Sequence, residues 1–269
     1  MAFTLSHTAA VLPFSRPLAR WRLLSATVIG SMVPDFGLFM PLRPARFETH
    51  SLLGLFIFCL PVGLATYWIF QRLMKIPLVE LLPDGAYSRW RESEAPAEFG
   101  NPRQWIMAAC GVLAGAVTHL VWDAFTHEGA RGVRMMPALD DLIVGIGGHH
   151  LVGATLLQDA SSLVGLVVVV AILGYGLRSS RSAATAAAPR RLHAGERRTW
   201  IAAYWLTAAA LTVAFFILRR PESAAHHAVL PVGGAAIALL RGMAAALLIV
   251  SLCVNLRLHR LPPETLSPS

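Results

Sequence analysis

The sequence predicts an all-α, polytopic transmembrane helical bundle with about five spans and an interfacial N-terminal segment. Two observations carry this. Hydrophobic residues make up 55% of the 269-residue chain and charged residues only 14%, where a soluble domain carries about 25% charged. The apolar residues also gather into runs of about 20, the length that crosses a hydrocarbon core about 30 Å thick.

The five runs are Leu52 to Leu73, Trp105 to Phe125, Val152 to Leu177, Trp200 to Leu218 and Ala235 to Leu256. A sixth, Leu18 to Met40, is weaker: Arg20, Trp21 and Arg22 begin it and Pro34 and Asp35 interrupt it. It reads as interfacial or re-entrant. Ahead of it, Ser6, His7 and Thr8 suggest a brief helix before Pro13. No charged start and apolar core of a signal peptide precede it, so this segment is expected in the mature protein.

Residues 1–177 therefore form a membrane-embedded helical domain, 178–199 a flexible loop rich in Arg, Ala and Ser, and 200–269 a helical pair with a short tail. The loop holds Arg178, Arg181, Arg190, Arg191, Arg197 and Arg198, which marks it as cytoplasmic. Counting spans from it puts the start of the first span and the end of the second on the extracytoplasmic side. Arg241, inside the last run, needs a protein partner or a nearby interface.

The net charge of +8 is explained by arginines beside the spans, so nucleic-acid binding is not expected. Cys59, Cys110 and Cys253 lie far apart inside apolar runs and read as small core residues rather than a disulfide framework or a thiolate cluster.

The second run ends in THLVWDAFTHE, Thr118 to Glu128, which sets His119, Asp123 and His127 at intervals of four residues. At 3.6 residues per turn the three share one helix face. Imidazole and carboxylate are the usual ligands of zinc and similar divalent ions. His50, in Thr49-His50-Ser51, stands at the mouth of the first run. Consecutive spans run antiparallel, so His50 can meet that face. Asp35 sits at a helix stop after Pro34, and His7 lies in the N-terminal segment. Thr49, Ser51, Gln158 and Ser161 fall on the same side, where they orient ligands or touch substrate or, for Gln158 and Ser161, simply link helices by hydrogen bonds; Arg46 either pairs with a substrate phosphate or is an ordinary interfacial arginine. Gly111 and Gly115 in the second run permit a close helix contact.

The elements FTLSHTAAVLP, IGSMVPDF, THSLLGLF, THLVWDAFTH and LLQDASS, in that order, resemble a bacterial membrane family known as domain of unknown function 4184. The likeness covers roughly residues 1–177 and brings no activity with it. More distantly, the order His7, Asp35, His50, His119, Asp123, His127 is similar to that of membrane-bound metal-dependent hydrolases and of the zinc-dependent phospholipase C and single-strand nuclease superfamily. That likeness implies Asp35, His50, His119 and Asp123 around one ion, His7 and Asp123 at a neighbour, and His127 at a third. The chain begins Met1-Ala2-Phe3 where those enzymes begin with tryptophan, and Gly153 and Ala154 stand where a glutamate is needed after His149 and His150. One or two ions fit what is present.

The expectation is an integral protein of the bacterial cytoplasmic membrane that hydrolyses a lipid or another phosphate ester at the membrane surface. A zinc-like ion would activate water, with Asp35 or Asp123 accepting its proton. The alternative is a non-catalytic membrane binding, assembly or transport protein whose His/Asp cluster is structural. A catalytic ion needs an open position, whereas a structural one is closed by four protein ligands.

Overall fold

A computed structural model of the chain describes residues 4–40, 46–83, 86–87, 99–146, 149–178, 192–218 and 231–261. The protein is a helical membrane bundle. Among the described residues, five helices are long and apolar enough to cross a bilayer: span 1, Leu52–Leu81; span 2, Pro102–Thr126; span 3, Gly153–Leu177; span 4, Ala194–Leu218; and span 5, Gly234–Arg260. The chain forms two compact units, Met1–Trp68 with Ala97–Tyr175, and Ile69–Pro96 with Gly176–Ser269.

In the first unit the N-terminal segment is a series of short turns of helix. Two 3-10 pieces, Thr4–Ala10 and Leu12–Phe14, lead into helices Ser15–Arg20 and Leu24–Gly30 and a third 3-10 piece, Val33–Leu38. Leu18 to Met40 is thus not one continuous helix. It breaks at Arg22, whose φ of 56° lies in the left-handed region, and again before Pro34, which opens the last piece.

Helix Leu24–Gly30 lies directly on span 2, backbone against backbone. A Cβ at Gly30 would overlap the carbonyl of Val112, one at Gly115 would overlap Thr27 O and come within 2.6 Å of Ser31 N, and one at Gly111 would come within 2.9 Å of the Ala26 Cβ. Gly111 and Gly115 do mediate a close contact, but with the short helix Leu24–Gly30 and the residues flanking it rather than with a neighbouring span. Gly63 of span 1 meets the Val112 side chain equally closely.

Span 1 begins at Ser51, whose hydroxyl accepts a hydrogen bond from Gly54 N at 2.9 Å. Its first stretch, Leu55–Cys59, is a π-helix, with Leu60 N donating to Leu55 O. Pro61 follows at once, and the wider turn accommodates a residue that has no N–H to offer and would crowd the carbonyl four residues earlier. A second π segment, Phe70–Met74, carries the helix past Arg72 and on to Leu81, so the span outlasts the apolar run by a turn and more.

The connection after span 2 has the composition of a loop, yet it contains helix Arg131–Met135, a 3-10 turn Pro137–Leu139 and an antiparallel hairpin. Strand β1, Leu142–Ile146, pairs with β2, His149–Val152, with a bulge between Leu142 and Val144. The side chains of His149 and His150 lie outside the described residues, as do His226 and His227.

In the second unit, spans 4 and 5 pack through small residues: Gly242 leaves room for Thr212 N and Ala208 O, which a Cβ would meet at 2.7 and 2.9 Å. Leu192, Val250, Val254 and Leu258 form its buried core, with Ile76, Leu81, Trp200 and Tyr204 against it. Arg257 binds one oxygen of Glu196 twice, at 2.8 and 3.0 Å. Arg241 is half-buried within span 5. Of the cysteines, Cys59 is buried, while Cys110 and Cys253 are exposed on span surfaces rather than in a core. Their small, weakly polar side chains suit a lipid-facing position as well as an interior one.

Candidate metal centre

Four elements of the first unit deliver ligand-type side chains to one place. Span 2 supplies His119 and Asp123, one turn apart. The 3-10 piece Val33–Leu38 supplies Asp35, held there because Leu24–Gly30 is pressed onto span 2. The 3-10 piece Thr4–Ala10 supplies His7, and the turn between helix Arg46–Thr49 and span 1 supplies His50. That turn is tight: a Cβ at Gly54 would overlap Glu48 O.

The central feature is a ring of two imidazole nitrogens alternating with two carboxylate oxygens. His50 Nε2 lies 3.4 Å from Asp35 Oδ1 and 3.5 Å from Asp123 Oδ2. His119 Nε2 lies 3.6 Å from Asp35 Oδ1 and 3.5 Å from Asp123 Oδ2. These edges are too long for charge-assisted hydrogen bonds, which run about 2.7–2.9 Å. They have instead the length of edges around a tetrahedral zinc-type ion, about 3.3–3.6 Å for bonds of about 2.0–2.2 Å, and account for four of its six edges.

The outer nitrogens of the two rings are already engaged. His119 Nδ1 donates to the carbonyl of Ser31 at 2.7 Å, which leaves the Nε2 lone pair of the neutral ring turned towards the carboxylates. His50 Nδ1 is 2.7 Å from the hydroxyl of Thr49. Nε2 of His7, His50 and His119 are all buried without a hydrogen-bond partner. Three such atoms converging on two buried carboxylates cost about 1–3 kcal/mol each unless something satisfies them, and a divalent cation does so.

The second oxygen of Asp123 faces the other way. Oδ1 lies 3.7 Å from His7 Nε2 and 3.5 Å from His127 Nδ1. His7 is stacked on His119, with ring centroids 3.8 Å apart. Burial first, and the neighbouring His119 ring second, push His7 down to about 4, so its imidazole is neutral at pH 7. His7, His119 and Asp123 form one group able to hold an ion and Asp35, His50 and His119 another. Asp123, with one oxygen towards each, bridges them.

Periodicity puts His127 on the helix face, but span 2 ends at Thr126 and His127 is its C-cap, with extended backbone. Its ring still returns to Asp123, and its side chain, 24% exposed, is the most open of the set, where His119 is at 0%. Gln158 of span 3 approaches it, with Nε2 atoms 3.5 Å apart. Ser161 accepts a hydrogen bond from Trp122 Nε1 at 3.2 Å, and Ser51 caps span 1 instead of pointing to the ring. Arg46 opens helix Arg46–Thr49, and its side chain lies outside the described residues.

Two contributors escape sequence reasoning. The Thr4 hydroxyl binds the Asp35 carboxylate; its place three residues before His7, where 3-10 side chains eclipse, is the signal that was available. The Ser31 carbonyl is backbone and leaves no trace in residue type.

No curated protein and no solved structure matches the chain, so the likeness to zinc-dependent phospholipases rests on residue order alone. The model of one family, described as Domain of unknown function (DUF4184), matches residues 1–252, and the chain belongs to that family.

Proposed function

We propose that the protein is an integral membrane, metal-dependent hydrolase acting on a phosphate ester at the extracytoplasmic face of the cytoplasmic membrane. The observation that carries this reading is the His50–Asp35–His119–Asp123 ring, whose edges have tetrahedral ligand spacing. A zinc-type ion held there would fix the site, and a second held by His7 and Asp123 beside it would supply an activated water and polarise the phosphoryl oxygen.

The residues divide the remaining work by geometry. The ring offers four protein atoms and is closed. On the other side of Asp123, His7 and His127 approach Oδ1, and with His127 the most exposed of the set this is the side that water and substrate would reach. Half-open His127, beside that oxygen, is placed to accept the proton of an attacking water and pass it outward. Asp35, bound by Thr4 and deep in the ring, holds His50 and His119 in position. The cluster of arginines in residues 178–199, read as cytoplasmic, supports the assignment of side.

One observation favours a second reading: four protein ligands around a buried position is the form of a structural ion. The two separate by experiment. The hydrolase hydrolyses vesicle phospholipid or bis(4-nitrophenyl) phosphate, loses that activity to a chelator, regains it with zinc, and is inactive as Asp123→Ala. A protein that carries metal but hydrolyses neither ester holds a structural ion.

A further inference from the structure

We infer that the substrate is a bilayer lipid whose phosphate-bearing headgroup reaches His127 sideways, through the seam between spans 2 and 3 formed by Trp122, Gln158 and Ser161. This rests on the hydrolase reading and names its substrate class.

Depth is the first argument. Span 2 has 25 residues, so it is about 37 Å long against a hydrocarbon core of about 30 Å, and its ends stand in the headgroup layers. His119 and Asp123 precede its last residue, Thr126, by about 10 and 5 Å at 1.5 Å per residue. Centred on that core, the span overhangs it by about 3–4 Å at each end, so Asp123 sits at the boundary between headgroups and acyl chains and His119 about 7 Å below it, a depth at which a resident lipid is closer at hand than a dissolved ester.

Access is the second. His7, His50, His119, Asp35 and Asp123 are nearly closed off, and the opening is at His127. What stands beside His127 is Gln158, a residue of span 3.

The seam itself is the third. Thr155, Gln158 and Ser161 recur every three residues along one face of span 3 and meet the end of span 2 in turn. Thr155 donates to Glu128 at 2.9 Å, Gln158 approaches His127, and Ser161 accepts from Trp122. The first and last of these contacts are exposed, and Val121, Leu156 and Leu163 are exposed beside them. Hydrocarbon offers hydrogen-bonding groups nothing, whereas a headgroup dipping from the interface pairs with them. Only 6% of the apolar window of span 3 is buried, so parting the seam disrupts little packing.

The test uses the full-length protein in phospholipid vesicles containing phosphatidylethanolamine with a photoreactive diazirine on its headgroup amine. Adducts are mapped by mass spectrometry. Labelling at Trp122 and Leu156 is expected to exceed that at Leu53 and Ile57, on the exposed face of span 1, several-fold. Ser161→Trp and Leu156→Trp, which fill the seam from two positions, are each expected to reduce labelling at Trp122 several-fold. Uniform labelling of exposed faces, or labelling at Trp122 unchanged by both variants, overturns the proposal. Hydrolysis of vesicle lipid and of bis(4-nitrophenyl) phosphate is measured in parallel. Seam labelling with neither ester hydrolysed leaves the lipid route standing and defeats the hydrolase reading. Hydrolysis of the soluble ester without seam labelling does the reverse.

Discussion

The two compact units of this protein use burial in opposite ways. In the second, spans 4 and 5 meet through Ala208, Ala238, Ala246 and Gly242, and Leu192, Val250, Val254 and Leu258 fill the core. Its prominent ion pair, Glu196 with Arg257, is half-exposed. In the first, the buried set includes His7, Asp35, His119 and Asp123, brought together from three elements. Close packing of small residues occurs in both. In the second unit it is an end in itself, whereas in the first it sets Ser31 O against His119 and Asp35 beside His50. Polar groups are costly to bury, and a fold that turns the buried Nε2 atoms of His7, His50 and His119, none with a hydrogen-bond partner, towards one point is suited to something that binds there.

The comparison can be broken most severely at Asp123. Its two carboxylate oxygens face separate sets of imidazoles, so Asp123→Ala is expected to abolish metal retention at both positions, read by elemental analysis of the purified variant. A variant that keeps its metal would mean the ring is a polar packing feature like any other.

Gly115→Ala comes next, and it touches no ligand. The added methyl overlaps Thr27 O and crowds Ser31 N, which is expected to destabilise the first unit by about 1–3 kcal/mol. It also moves the Ser31 carbonyl away from His119 Nδ1, so metal retention falls with stability. The corresponding change in the second unit, Gly242→Ala, is expected to lower the melting temperature and leave metal content unchanged.

His127→Ala should sharpen the division within the first unit. The ring of four is intact without it, so one ion per chain is retained while ester hydrolysis falls by about 10- to 100-fold, the range for losing a group that tunes a metal site. The smallest effect belongs to Glu196→Ala. A half-exposed ion pair contributes about 0.2–1 kcal/mol, so a slight loss of thermal stability with unchanged metal content is expected.

The same contrast decides what could be read from the sequence. The spans were legible because unbroken apolar runs have one physical explanation. The end of span 1 was not, because Arg72, Lys75 and Pro77 look like a boundary, whereas a π segment carries the helix through them to Leu81. At the site, His119 and Asp123 follow from the helical repeat, and His50 follows from antiparallel spans. Asp35 and His7 were visible as ligand-type residues, and only the resemblance in residue order made them neighbours, because their placement depends on Leu24–Gly30 lying across Gly111 and Gly115. The close contact of those glycines was foreseeable; that the short helix Leu24–Gly30 would be the partner was not. His127 reaches Asp123 from a helix cap rather than from the helix face, since the helix stops one residue earlier than periodicity alone suggests.

The most direct test of the account is the metal content per chain of protein purified without added chelator, by elemental mass spectrometry, with chelation and zinc re-addition as controls. One or two zinc-like ions per wild-type chain, removed by chelator, restored by zinc and lost in His119→Ala, is the predicted result. A wild-type chain that carries no divalent metal and takes up none on re-addition would contradict it, and the ring of Asp35, His50, His119 and Asp123 would then have to be explained as helix packing alone.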